Sequence, residues 1–529
     1  MKPLLNLTLT LIAGGFCAVN SMAQSPALPE SLTPPPSESP RINGAKVFGV
    51  RPGSPFLFSI PASGVRPMTF EADGLPAGLK LNAGTGQITG TVSAPGEFKV
   101  ILRAKNAKGK AERPFKIVVG EDLLLTPPMG WNSWYIYSEA VSTDLVRKTA
   151  EAMVSSGLSQ HGWTYVNIDD CWQGPRGGEF NALQGNSKFP DMPGLCANVH
   201  ALGLKIGIYS TPWIGSYAGF RGGSAPNEAG DYESAGLPPD RRIQPGQVFG
   251  RYPLFLRFKA NRVGPVAFYD QDAKQWAAWG FDYVKYDWNP NDAPTIERLA
   301  KSLRQSGRDI VFSVSNAAKT DVAKALLANA QVWRTGGDVS DSWDSITHRF
   351  TTTEWAPFST PGHWPDPDML QVGVLGIPNT KGKVQPTRLT ADEQYAHMSL
   401  WALMSAPLLL SCDLTQLDPF TLGLLTNDEV IDIDQDPLGK FGTRLASGEK
   451  LQEQEIIFKS LEDGSVAVGL FNLAASPQPV RVEFAALKLG GKQKVRDVWR
   501  QKDLGEASDA YSAEVPSHGV LLLRLIPVK

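Results

Sequence analysis

Two aspartates stand where acid/base chemistry could be done. Asp287 closes the run "YVKYDW", just after Lys285, and Asp338 sits in "WRTGGDVSDSW" between Arg334 and Asp341. An ammonium so near should lower the pKa of Asp287 and keep it ionised, as a nucleophile must be. Asp338 follows a pair of glycines that free the chain to turn its carboxyl inward, and partial burial would raise its pKa towards the range of a general acid. Two carboxylates facing each other across a pocket are what cleavage of a glycosidic bond requires, one giving a proton to the departing oxygen while the other attacks or supports the sugar carbon. Arg334 could hold two adjacent hydroxyls with its forked donors. Structural readings stand beside these. Asp287 could cap the helix that follows it, and Asp338 and Asp341 could cap a helix or form a solvated pair with Arg334. The pair Asp169-Asp170 in "NIDD" could be two Ca²⁺ ligands, although its loop lacks an oxygen-rich continuation. Trp131 and Trp134, taken singly, read as core.

The elements that must position these residues have a rhythm of their own. "YVNIDD", "KIGIYS", "YVKYDW", "DIVFSVSN" and "VWRTGGD" are short apolar runs that finish in polar residues, and "PPMGWNSW", "HWPDPDML" and "APLLLSCDL" complete a set of eight candidate strands. Between them lie helical patterns such as "TDLVRKTAEAMVSSG" and "APTIERLAKSLRQSG". Strands alternating with helices imply parallel βα units, and eight of them suggest an α/β fold of the (β/α)8 TIM-barrel type. An open doubly wound sheet would be expected to carry a Gly-rich phosphate loop after its first strand, and none is present. In a barrel the loops at the strand ends converge on one face. Trp131, Asp169, Asp170, Tyr209, Asp287, Ser315, Arg334 and Asp338 all fall at such ends, with Lys285 close by.

The chain of 529 residues is long enough for two to four domains. A formal charge of -2 gives no electrostatic reason to expect nucleic acid or an anionic membrane as partner. Residues 1–23 read as a signal peptide with cleavage after Ala23, which implies a periplasmic or extracellular protein. Residues 24–41 are a Pro/Ser-rich extended linker. Residues 42–121 alternate apolar and polar positions in short runs, as a small immunoglobulin-like β-sandwich does. The barrel is assigned to 122–441, and 442–529 to a C-terminal antiparallel β-domain. Past the leader, Cys171, Cys196 and Cys412 permit at most one disulfide. The chain has neither C-x-x-C nor H-E-x-x-H, so no metal is expected.

In order and spacing, "TPPMGWNSW", "YVNIDDCWQ", "KIGIYS", "YVKYDW", "VWRTGGDVSDSW", "GHWPDPDML", "HMSLWALMSAPLLLSCDL" and "IDIDQDPLG" resemble the enzymes of glycoside hydrolase family 27, the retaining α-galactosidases and α-N-acetylgalactosaminidases. The resemblance implies a (β/α)8 barrel followed by an antiparallel β-domain, and a double displacement without a cofactor. It implies Asp287 as nucleophile and Asp338 as acid/base, with carboxyls ~5 to 5.5 Å apart. Asp169 and Asp170 match the pair that binds the 4- and 6-hydroxyls of galactose, and Trp131 matches the aromatic wall beneath the ring. Lys285, Arg334 and Tyr209 match further pocket residues. The substrate implied is a terminal α-galactoside of an oligosaccharide or polysaccharide. Two siblings are an α-N-acetylgalactosaminidase and a β-L-arabinopyranosidase, and a non-catalytic carbohydrate-binding protein is a reading of another class. The chain departs from the family at "SVSNAA", where Ser315 stands at a glutamate position and Ala318 is small, as in enzymes that accept a 2-acetamido group. The family's usual disulfides are missing. An insertion, about 212–270, could roof the pocket, form extra subsites or be a surface excursion.

Overall fold

The structure, a computed structural model, describes residues 29–237, 260–376, 384–445 and 450–528. The leader at 1–23, the start of the linker and the middle of the insertion, including "FGRYPLFLRF", lie outside the described residues. Eight parallel strands form the centre of the chain: β1 (Met129–Asn132), β2 (Tyr165–Asn167), β3 (Lys205–Ser210), β4 (Tyr283–Asp287), β5 (Val311–Ser315), β6 (Val332–Arg334), β7 (Trp364–Asp366) and β8 (Leu408–Leu410). Each pairs with its neighbour in turn, and β1 also pairs with β8. A parallel bridge between Leu370, just past β7, and Leu410 of β8 closes the ring. This is the (β/α)8 barrel that the alternation of elements implies.

The strands are covered on both faces, so they read as continuous apolar runs rather than as alternating ones. β5, "VFSVS", is buried at every position. The interior is so close that a Cβ on Gly207 of β3 would meet Asn167 Oδ1 at 2.1 Å. Several helices start where short polar side chains satisfy free amides. Ser142 caps Thr143–Ser155, and Asp292 caps Ala293–Arg304 through a 2.8 Å bond from Thr295 N–H. Ala391–Met404 begins with a full capping box, Thr390 with Glu393, and is buried over most of its length. It is wedged between barrel and C-terminal domain, where Lys459 Nζ donates to Ala402 O at 2.8 Å and to Ser405 Oγ at 2.7 Å.

The C-terminal domain pairs a six-stranded antiparallel sheet with the two-stranded Gln478–Glu483 and Ala510–Val515 sheet, over a core that includes Val468, Val480, Phe484 and Leu523. The immunoglobulin-like region is likewise two sheets, of four and three strands, around Phe56, Ile88, Leu102 and Ile117. It is fastened to the base of the barrel, the face where the strands begin. Asp309 accepts from Arg51 N–H at 2.8 Å and from Ser54 Oγ at 3.0 Å, and Ser59 Oγ donates to Gly203 O at 2.8 Å. Lys205 Nζ, at the start of β3, lies 4.5 Å from the centre of the Phe48 ring. The described part of the Pro/Ser-rich segment is packed, with Leu32 N–H donating to Tyr395 Oη at 2.8 Å and Asn427 Nδ2 to Thr33 Oγ1 at 3.1 Å. Among the described residues the three cysteines, Cys171, Cys196 and Cys412, are buried and free. No helix of the described residues is long and apolar enough to cross a membrane.

Candidate active site

β4 is the pillar of the site. Successive side chains of a strand alternate in direction, so Lys285 and Asp287 share its inner face. Lys285, however, is committed elsewhere: its Nζ lies 2.8 Å from Asp169 Oδ2, which also accepts from Asn132 Nδ2 at 2.8 Å. Asp287 is 6% exposed and its Oδ1 has no hydrogen-bond partner among the described residues. Burial therefore dominates and raises its pKa to about 7, against the pull of Lys285 and with the charges of Asp169 and Asp338 adding to the rise. The expectation that Lys285 holds this carboxyl low is corrected, because the ammonium is shared with a nearer carboxylate. Asp287 does not cap the next helix, since Asp292 does.

Asp338 corrects the companion expectation. Its side chain is 58% exposed at the mouth, and Arg334 Nη2 lies 3.2 Å from its Oδ1. What burial there is acts upward, but Arg334 and Lys285 outweigh it and hold the carboxyl below its ordinary range. A Cβ on Gly336 would meet Arg349 Nη1, the tip of a long side chain, at 2.0 Å, whereas Gly337 has open space. Arg349 Nη2 donates to Gly337 O at 2.6 Å and pins the loop. Asp341 faces away from Arg334: its buried carboxylate accepts from Arg388 at 2.6 Å. Ser342 caps the helix Trp343–Thr347, so neither aspartate does.

Asp170 is buried, and burial raises its pKa against several hydrogen bonds. Its Oδ1 accepts from Gln173 Nε2 at 2.9 Å, and its Oδ2 from Ala218 N–H at 2.9 Å. The described start of the insertion thus reaches Asp170 through Ala218. Tyr209, at the end of β3, is 1% exposed with a phenol that has no partner among the described residues, and the charges of Asp287, Asp170 and Asp169 all act on it. Trp131 is fully buried, its indole N–H donating to Cys412 O at 2.8 Å and its ring edge-on to Tyr137, so it presents no open face as a wall. Ser315 ends β5, is 2% exposed and lines a cavity of ≈ 20 Å³ with Lys285, Arg334, Asp366 and Asp368. Among the described residues no three His, Cys, Asp or Glu side chains gather as metal ligands.

A carboxylate-rich mouth with two cations, on the C-terminal face of a barrel, is now defined by geometry alone. A family model described as "Alpha galactosidase A" matches residues 126–232 and 258–436, another, "Alpha galactosidase C-terminal beta sandwich domain", matches 452–525, and an Ig domain model matches 39–120. The chain belongs to glycoside hydrolase family 27, the α-galactosidase family. This family 27 chain is 34% identical over 411 residues to the α-galactosidase of Cyamopsis tetragonoloba, a match covering 76% of this chain and 86% of that one. A solved protein from Bacteroides fragilis superposes with TM-score 0.79 at 30% identity, covering 93% of this chain and 99% of its own. The family 27 β-L-arabinopyranosidase of Geobacillus stearothermophilus superposes with TM-score 0.63 at 27% identity, covering 76% and 97%.

The family 27 site holds residues to which the sequence reading gave no role. Asp366, at the end of β7, has its pKa raised to about 6 by burial, with Arg334 opposing. Asp368, 1% exposed, lies 2.9 Å from Arg334 Nη1. The signal was present in "HWPDPDML", a strand ending in two carboxylates opposite the known arginine.

Proposed function

We propose that this glycoside hydrolase is a secreted, retaining exo-α-galactosidase that removes terminal α-linked galactose with Asp287 and Asp338. The observation that supports this best is that Asp338, just past β6 and 3.2 Å from Arg334, shares one mouth with Asp287, buried at the end of β4, and its charge acts on that carboxyl. Asp287 attacks the anomeric carbon; as the C–O bond of the leaving group breaks, Asp338 passes its proton to the departing oxygen. Asp338 then takes a proton from water, whose oxygen attacks the same carbon and releases Asp287. The reaction needs Asp287 ionised and Asp338 protonated, while the charges of the surrounding side chains favour the opposite. The pair is therefore read as sharing one proton that moves to Asp338 when sugar is bound, and the pH profile belongs to the pair. Asp169 and Asp170 would take the outer hydroxyls, and Lys285, Arg334 and Tyr209 the others.

A second reading concerns C2. The small side chains of Ser315 and Ala318 at the end of β5 favour room for a 2-acetamido group, so aryl α-galactoside and aryl α-N-acetylgalactosaminide should be compared side by side. The Asp169-Asp170 pair weighs against a β-L-arabinopyranosidase, whose sugar lacks the C6 group. Rapid quenching during turnover should leave a hexosyl ester on the peptide that carries Asp287, and the first-formed sugar should be the α-anomer by NMR. A β-anomer as first product overturns retention. Equal sugar binding and no turnover of any aryl glycoside would leave a binding protein. Export is checked by activity in the periplasm or medium and by a mature N-terminus at Gln24.

A further inference from the structure

We propose that Asp368 is a positioning residue that sets both ends of the arm carrying Asp338, an inference that rests on the acid/base reading of Asp338. Asp338 is exposed, and among the described residues its only hydrogen-bonded side chain is Arg334. A carboxyl so placed has no geometry of its own; its position follows from Arg334 and from the backbone that carries it. Asp368 holds both. Its Oδ1 is 2.9 Å from Arg334 Nη1, the arm of the guanidinium turned away from Asp338. Its Oδ2 accepts from the N–H of Val339, the residue after Asp338, at 2.8 Å, and from Tyr135 Oη at 3.0 Å.

The anchor is itself over-determined. Asp368 has φ +102, a conformation rarely adopted by a residue with a side chain. Such strain persists only where the surroundings enforce it. Here Asp368 N–H donates to Asp366 Oδ1 at 2.8 Å, and Asp368 O accepts from Trp401 Nε1 at 2.7 Å. The strained backbone turns the carboxylate to the loop after β6. Its charge also divides the guanidinium between two carboxylates. Without Asp368, Arg334 would bear more strongly on Asp338 and hold it ionised to lower pH, which is the wrong state for an acid.

Asp368→Asn keeps the shape and removes the charge. The test compares kcat/KM for a dinitrophenyl α-galactoside, whose departure needs little protonation, with that for an alkyl or disaccharide α-galactoside, whose departure depends on the acid. Misplacing the acid should cost the second substrate about 10²-fold and the first less than about 5-fold. The alkaline limb of the alkyl-substrate profile should shift to lower pH. If both substrates lose activity equally, in step with the folded fraction, Asp368 is structural and the proposal is overturned. Should Asp368→Asn not fold, Tyr135→Phe, which removes one donor to the same carboxylate, should show the same selectivity in weaker form, and an equal loss for both substrates overturns the proposal there too. Asp338→Ala separates the levels: if it does not discriminate between the substrates, the acid/base reading itself fails.

Discussion

One strand carries two buried aspartates at its opposite ends, and they are treated in opposite ways. Asp282, just before β4 at the base of the barrel, is 7% exposed, and Asp287, at its mouth, is 6% exposed. Burial acts upward on both. At the base it is overcome: His200 Nε2 lies 2.8 Å away, Arg308 Nη2 2.6 Å, and Ile206 N–H donates at 3.0 Å, so the Asp282 carboxyl is held at about 2. At the mouth Lys285 is drawn to Asp169, Oδ1 of Asp287 has no partner, and the carboxyl rises to about 7. Equal burial with unequal pairing separates a charge that stabilises the fold from one left without a partner at the mouth.

Breaking the contrast at the mouth should give the largest effect. Asp287→Asn should lower turnover on the order of 10⁴-fold or more while sugar binding persists. The same change should stabilise the protein. A carboxyl whose folded pKa is raised opposes folding as pH climbs from about 4 through about 7, so the variant should gain up to about 4 kcal/mol at pH 8 and nothing below pH 4. Denaturant midpoints across that range measure the gain, and a variant less stable than its parent at pH 8 would show that Asp287 is paired after all. At the base the signs reverse. Asp282→Asn should cost about 3 kcal/mol at neutral pH, because Arg308 loses a buried partner, with turnover per folded molecule unchanged. Since the folded pKa is depressed, this loss should be complete above about pH 4 and fade as the pH falls towards 2. A fall in kcat matching the fall in stability would mean that the two ends of β4 are not independent.

The sequence reveals the barrel for a local reason: each strand is a short apolar run ending in polar residues, and several helices carry their own cap, such as Asp292 or Thr390. The two aspartates proposed to react are legible in the same way, as strand-end carboxylates beside a lysine and an arginine. Their charge states are not. The sign at Asp287 depends on whether Lys285 turns to its strand neighbour or to Asp169, 116 residues away, and spacing along one strand cannot show that choice. Asp368 escapes for a similar reason, since its partners come from Tyr135, Arg334 and Val339. The Pro/Ser-rich segment has no core of its own, which composition shows, yet Leu32 and Thr33 dock on distant helices, which composition does not.

The smallest effect belongs to the seam between the base and the immunoglobulin-like region. Lys205 Nζ sits over Phe48 at 4.5 Å and near Tyr165 at 5.8 Å, and burial lowers its pKa against the pull of Asp282 and Asp309. A cation over an aromatic face contributes about 1 kcal/mol when partly desolvated. Phe48→Leu keeps an apolar side chain and removes the ring, so it should cost about that much at pH 7. Because the folded pKa of Lys205 lies below the ordinary lysine value, the ammonium is lost early as pH rises, and the gap between parent and variant should narrow by pH 10. A gap that stays constant would mean that the ring acts through packing alone. Turnover should not change, because Phe48 packs against the base of the barrel, at the opposite end from Asp287 and Asp338.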